Sequence, residues 1–142
     1  MPNSIRVNTG AIKIEVNDDG DYITLPFGDQ TFPTRFFSMM EDFETRQEDY
    51  KKRAEEIDNS TDSESARAKA GTQLNLEIHQ YFRSEVDRIF GPDTCRKVFG
   101  DIVPGIELYA EFFDQLKPYF EKYGKERAAK MKKYSAGRRG NV

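Results

Sequence analysis

The sequence is short of the residues on which most protein chemistry rests. It holds one cysteine, one histidine and no tryptophan among 142 residues. Cys95 alone excludes an intrachain disulfide, and an unpaired thiol suits a reducing cytosol. His79 alone leaves no second imidazole for a metal site, so no metal and no other cofactor is expected. No stretch approaches the roughly 20 apolar residues that a membrane-spanning helix needs, so no membrane partner is expected. The opening Met1-Pro2-Asn3-Ser4-Ile5-Arg6 lacks the apolar run of a signal peptide. Phosphate-binding glycine loops are also missing, since neither GxxxxGK(S/T) nor GxGxxG occurs.

Two weaker chemical candidates reduce to structural readings. Cys95 and His79 are a nucleophile and a base by type, but no orienting motif surrounds either. Asn17-Asp18-Asp19-Gly20-Asp21 resembles an acidic calcium loop only in composition. The D-x-D-x-D-G order is absent and no Glu stands at the twelfth position. Both are read as structural, and no catalytic residue is assigned: the chain is expected to bind rather than to catalyse.

What the chain has in quantity is charge and aromatic rings. One third of its residues are charged, which suits elongated, solvated helices. Eleven Phe and seven Tyr supply apolar area for a core or an interface. The charge is uneven. Residues 1–124 carry 15 basic and 24 acidic side chains, and residues 125–142 carry seven basic and one acidic. An acidic body therefore precedes a basic end. The basic end has the charge density that phosphate binding needs. It lacks a recognition fold and has Tyr134 as its one stacking ring, so nucleic acid is not the expected partner.

The patterning predicts a mainly α fold: an N-terminal β-hairpin, then a three- to four-helix bundle containing a long antiparallel helical hairpin. Residues 1–10 carry few cues and read as flexible. Ala11 to Val16 alternates, with Ile12, Ile14 and Val16 on one face. Asn17 to Asp21 is a turn, and Tyr22 to Leu25 returns as the second strand of a hairpin over 11–25. A lone hairpin is marginal in water, so its apolar face must cover something.

Helices are predicted over 33–134, within one domain spanning 11–134. Pro33 suits a first helical turn. Phe36, Met40, Phe43, Gln47, Tyr50, Ala54 and Ile57 step by 4 and 3, the a/d seam of a long helix. Thr61 and Glu64 have the spacing of a capping box for a second helix ending near Phe90. A short helix over Asp93–Phe99 is expected to bury Val98 and Phe99, with Gly100 closing it. The last helix carries Ile106, Tyr109, Phe113, Leu116, Phe120 and Tyr123, with a kink or break expected at Pro118. Residues 135–142 read as a disordered basic tail.

Three adjacent aromatic pairs stand out: Phe36 and Phe37, Phe112 and Phe113, Tyr119 and Phe120. Neighbours on a helix point about 100° apart, so one small core does not readily cover both members. These six residues are the candidate protein-binding surface.

The order of these pieces is similar to that of tail assembly chaperones, small tail proteins of long-tailed phages and prophages of Gram-positive bacteria. The resemblance spans about 11–139. It rests on "AIKIEVNDDGDYITLPFGD", a charged helical hairpin, "IFGPDTCRKVFGDIVPGIELYAEFFDQLKPYF" and a basic "KMKKYSAGRRGNV" end. It implies a helical protein in the host bacterial cytoplasm, absent from the mature virion. The implied partners are the tape measure protein, which it keeps soluble, and the tail tube protein; self-association is a separate expectation for the chain itself. Two other classes compete: an acidic inhibitor or regulator that mimics nucleic acid, and a structural tail component that stays in the particle.

Overall fold

The structure, a computed structural model, describes residues 3–140, and side chains through residue 135. The chain is mainly helical: an antiparallel two-stranded hairpin is followed by four helices. Contacts divide it into two compact units, Met1–Tyr109 and Ala110–Val142.

In the first unit, β1 (Ala11–Glu15) pairs with β2 (Tyr22–Pro26), Ile12 opposite Leu25 and Ile14 opposite Ile23. Alternation sends Ile23 and Leu25 inward, while Tyr22 and Thr24 face out. Gly20 takes the turn at φ 84°, a conformation side chains disfavour. Asn17 Oδ1 accepts from the Asp19 and Asp21 amides at 2.9 and 3.2 Å, which closes the turn locally. The hairpin does not stand alone. It packs on α2 (Glu64–Phe90) and α3 (Thr94–Phe99). Asn17 donates to the Lys97 carbonyl at 3.0 Å, and Lys97 Nζ donates to the Tyr22 carbonyl at 3.3 Å.

The long helical hairpin forms as the seam spacing requires. α1 (Thr31–Asp58) runs antiparallel to α2. Phe36, Met40, Phe43 and Tyr50 are buried, Gln47 and Ala54 are exposed, and Ile57 is half-buried. Phe36 meets Phe90 at 6.1 Å between ring centroids, Phe43 meets Phe82 at 5.0 Å, and Arg53 pairs with Glu77 at 2.7 Å. At the α1 start, Asp29 Oδ1 accepts from both the amide and the hydroxyl of Thr31. Those two bonds hold the Asp29 carboxyl below its usual pKa.

Three sequence expectations are corrected. The α2 cap is Ser63, not Thr61: α2 begins at Glu64, and Ser63 Oγ accepts from the Ala66 amide at 3.2 Å. Ser63→Ala should therefore cost about 1 kcal/mol in equilibrium denaturation, and Thr61→Ala almost nothing. In α3 the buried residues are Thr94 and Cys95, while Val98 and Phe99 are half-buried. The cause is local: Asp87 on α2 accepts from the Cys95 amide at 3.0 Å and draws the first turn of α3 inward. Gly100 does close α3, at φ 77°.

Pro118 does not break its helix, contrary to the expected kink or break. α4 (Ile106–Gly140) runs through it without a break, and through Gly124 and Ser135 as well. Pro118 is exposed, as is Asp114 one turn earlier, so water can satisfy the carbonyl that Pro118 leaves without a donor. The stretch read as a disordered tail is thus helical as far as Gly140. Expectations for residues 1–2 and 141–142 lie outside the described residues.

Candidate protein-binding surface

The three aromatic pairs resolve differently. Phe36 is fully buried on the α1 seam, while Phe37 is 52 % exposed, its ring 5.5 Å from that of Phe36. The 100° step between neighbours divides this pair as helix geometry requires. In the second unit, Phe120 is buried and Tyr119 is 37 % exposed. Phe112 and Phe113 are both buried, with rings 5.8 Å apart. Of the six candidates, Phe37 and Tyr119 are available at the surface of this chain. Phe36, Phe112, Phe113 and Phe120 are core residues in it.

Some surface features carried no clear signal in the sequence. Ile102 and Val103, between α3 and α4, are each more than half exposed. On α4, Met131 is 56 % and Tyr134 65 % exposed. At the far end of the α1–α2 hairpin, two open grooves of about 450 and 510 Å³ flank the helices. Ile57 and Leu74 line both, beside the small side chains of Ala54, Ala66, Ala70 and Gly71. Small residues at seam positions were the available signal. Two helices that face each other with alanine and glycine leave space that bulkier pairs would fill.

His79 and Cys95 line one pocket of about 160 Å³ with Arg83, Arg96 and Phe99. Each is engaged elsewhere within the first unit. His79 Nδ1 lies 2.9 Å from the Tyr109 hydroxyl, and the Cys95 thiol points to the Arg83 carbonyl at 4.0 Å. Burial, then the Arg83 charge, lowers the His79 pKa and favours the neutral ring. Burial, reinforced by the Asp87 carboxylate, pushes the Cys95 thiol up to about 12. At pH 8 the thiol is therefore neutral, and a thiolate is the form that attacks. Cys95 should react with iodoacetamide slowly in the folded protein and quickly in denaturant. Equal rates would show that the thiol is not held as described. The sign of the linkage follows: a raised folded pKa gives stability that is complete below the unfolded value and is lost as pH climbs towards about 12.

Among the described residues, no group of three or more His, Cys, Asp or Glu is placed to hold a metal ion, and no helix is long and apolar enough to cross a membrane. One family model matches, over residues 35–141, and it describes a family of unknown function, DUF6673. No curated protein and no solved structure matches the chain.

Proposed function

We propose that this chain, which belongs to the DUF6673 family of unknown function, is a non-enzymatic binding protein for apolar helices, acting as a tail assembly chaperone. Its client is the tape measure protein, and the tail tube protein is the second partner, brought to polymerise around the held client. It works in the host bacterial cytoplasm and leaves before the virion is complete. The observation that carries this reading is the exposure of Phe37 and Tyr119, two large rings on helix surfaces. A ring half out of water is a ready anchor for a partner helix, and aromatic anchors dominate such contacts. The grooves at the hairpin end add apolar floors at Ile57 and Leu74 that can receive client side chains. The exposed carboxylates of α1, among them Asp49, Glu55 and Glu56, keep a loaded complex dispersed.

Co-expression with helical fragments of the tape measure protein from the same genome tests the proposal. The fragments should stay soluble and co-purify with the chain. Phe37→Asp and Tyr119→Asp should each weaken capture about tenfold or more, as loss of an aromatic anchor does. Folding should weaken by about 1 kcal/mol, well short of the cost of emptying a core site, because each ring is part-exposed and part-packed. A fragment that is equally soluble without the chain would remove the proposal.

A further inference from the structure

The exposed faces of α1 and α4 carry matching patterns of opposite charge. On α1, Phe37, Glu41, Glu44 and Glu48 are spaced 4, 3 and 4. At about 100° per residue they fall in one narrow sector. All four are exposed. On α4, Tyr123, Arg127, Lys130 and Tyr134 are also spaced 4, 3 and 4, again within one sector of about 100°. Arg127, Lys130 and Tyr134 are exposed and Tyr123 is half-buried. Met131, on the same sector, is 56 % exposed. One stripe reads aromatic, acid, acid, acid. The other reads aromatic, base, base, aromatic.

Laid against each other as antiparallel helices, the stripes match position for position. Phe37 meets Tyr134, Glu41 meets Lys130, Glu44 meets Arg127, and Glu48 meets the Tyr123 hydroxyl. The even spacing serves a parallel pairing as well. None of Glu41, Glu44, Glu48, Arg127 and Lys130 takes part in an ion pair among the described residues. Arg46 stands between Glu44 and Glu48 but is turned to Tyr81, its guanidinium carbon 3.6 Å from the ring centroid, and Lys51 and Lys52 follow Glu48.

We infer that the basic stripe of α4 docks on the acidic stripe of α1 in a second copy of this chain. The two surfaces differ, so the contact is head-to-tail, and each bound copy presents a further free stripe. Association therefore grows with concentration. It is largely between exposed charges, so raised salt weakens it. The inference stands apart from the client-binding proposal, although Phe37 would serve both contacts.

Sedimentation velocity on the full chain and two charge-reversed variants tests it. One variant is Glu41→Lys, Glu44→Lys and Glu48→Lys together. The other is Arg127→Glu and Lys130→Glu together. At low ionic strength the unaltered chain should sediment above its 16.4 kDa monomer mass, increasingly so with concentration. Each variant alone should stay monomeric. An equimolar mixture should associate again, because the basic α4 stripe of the first variant meets the acidic α1 stripe of the second, and the two reversed stripes are complementary as well. The single substitutions Glu44→Lys and Arg127→Glu, mixed in the same way, repeat the test where a multiple variant fails to give a native helical spectrum. A monomeric parent chain, variants that associate as it does, or a mixture that stays monomeric would each overturn the inference.

Discussion

Phe82→Ala should cost the fold about 3–5 kcal/mol, a large part of the stability of a domain this size. Phe82 is completely buried in the C-terminal third of α2. Its ring lies 5.0 Å from Phe43, 5.5 Å from Tyr109 and 6.4 Å from Tyr50. Removing it opens a cavity where α1, α2 and Tyr109 meet, and rings held from several sides collapse poorly into such a space. Urea denaturation of the purified variant gives the number. Phe43→Ala should fall in the same range, because Phe43 is 4 % exposed and stacks on the same ring. A transition unchanged from that of the parent chain would contradict the packing described for this seam.

Pro118→Ala should act in the opposite direction and stabilise the chain by up to about 3 kcal/mol. Pro118 stands inside α4 with helix on both sides. It supplies no amide to the ladder, and its ring crowds the carbonyl one turn earlier. Because the position is exposed, alanine restores the bond without disturbing any buried contact. The gain should appear as a higher urea midpoint with an unchanged slope, the mark of a stability change without a change in exposed surface. An unchanged midpoint would show that α4 does not run as a regular helix through this point.

Much of the fold is legible in the sequence because periodicity is a strong signal. Ile12, Ile14 and Val16 announce a strand face, and Phe36 to Ile57 announce a seam. Ile12 and Ile14 fall in β1, which ends at Glu15 before Val16, and the seam is buried at Phe36, Met40, Phe43 and Tyr50 but exposed at Gln47 and Ala54. The details that escape are those that tertiary packing decides. Thr61 has the spacing of a cap, but the chain enters α2 two residues later, and Ser63 takes the role. Thr94 and Cys95 are buried in place of Val98 and Phe99 because a carboxylate on another helix holds the α3 start. Pro118 lowers the propensity for helix, yet water reaches the carbonyl it leaves without a donor, and α4 continues through it at that cost.

The surface was legible only in outline. Adjacent rings must point apart, so a paired aromatic predicts that one member is surplus, but not which. Phe37 and Tyr119 are the surplus members of their pairs, whereas Phe112 and Phe113 are both buried. The charge asymmetry between 1–124 and 125–142 was plain from composition. Its equal spacing on α1 and α4 has meaning only once both stretches are known to be helices with those faces exposed.

Client binding and self-association should separate on ionic strength, because apolar burial survives salt and exposed charge pairs do not. Titration calorimetry at low and at raised salt, with a helical tape measure segment as the ligand, separates the two directly. Affinity that persists at raised salt, and is lost in Phe37→Asp and Tyr119→Asp but not on reversal of Arg127 and Lys130, is the expected result. No binding at either salt, or binding that disappears on modest salt addition, would contradict a chaperone that holds its client by apolar contact.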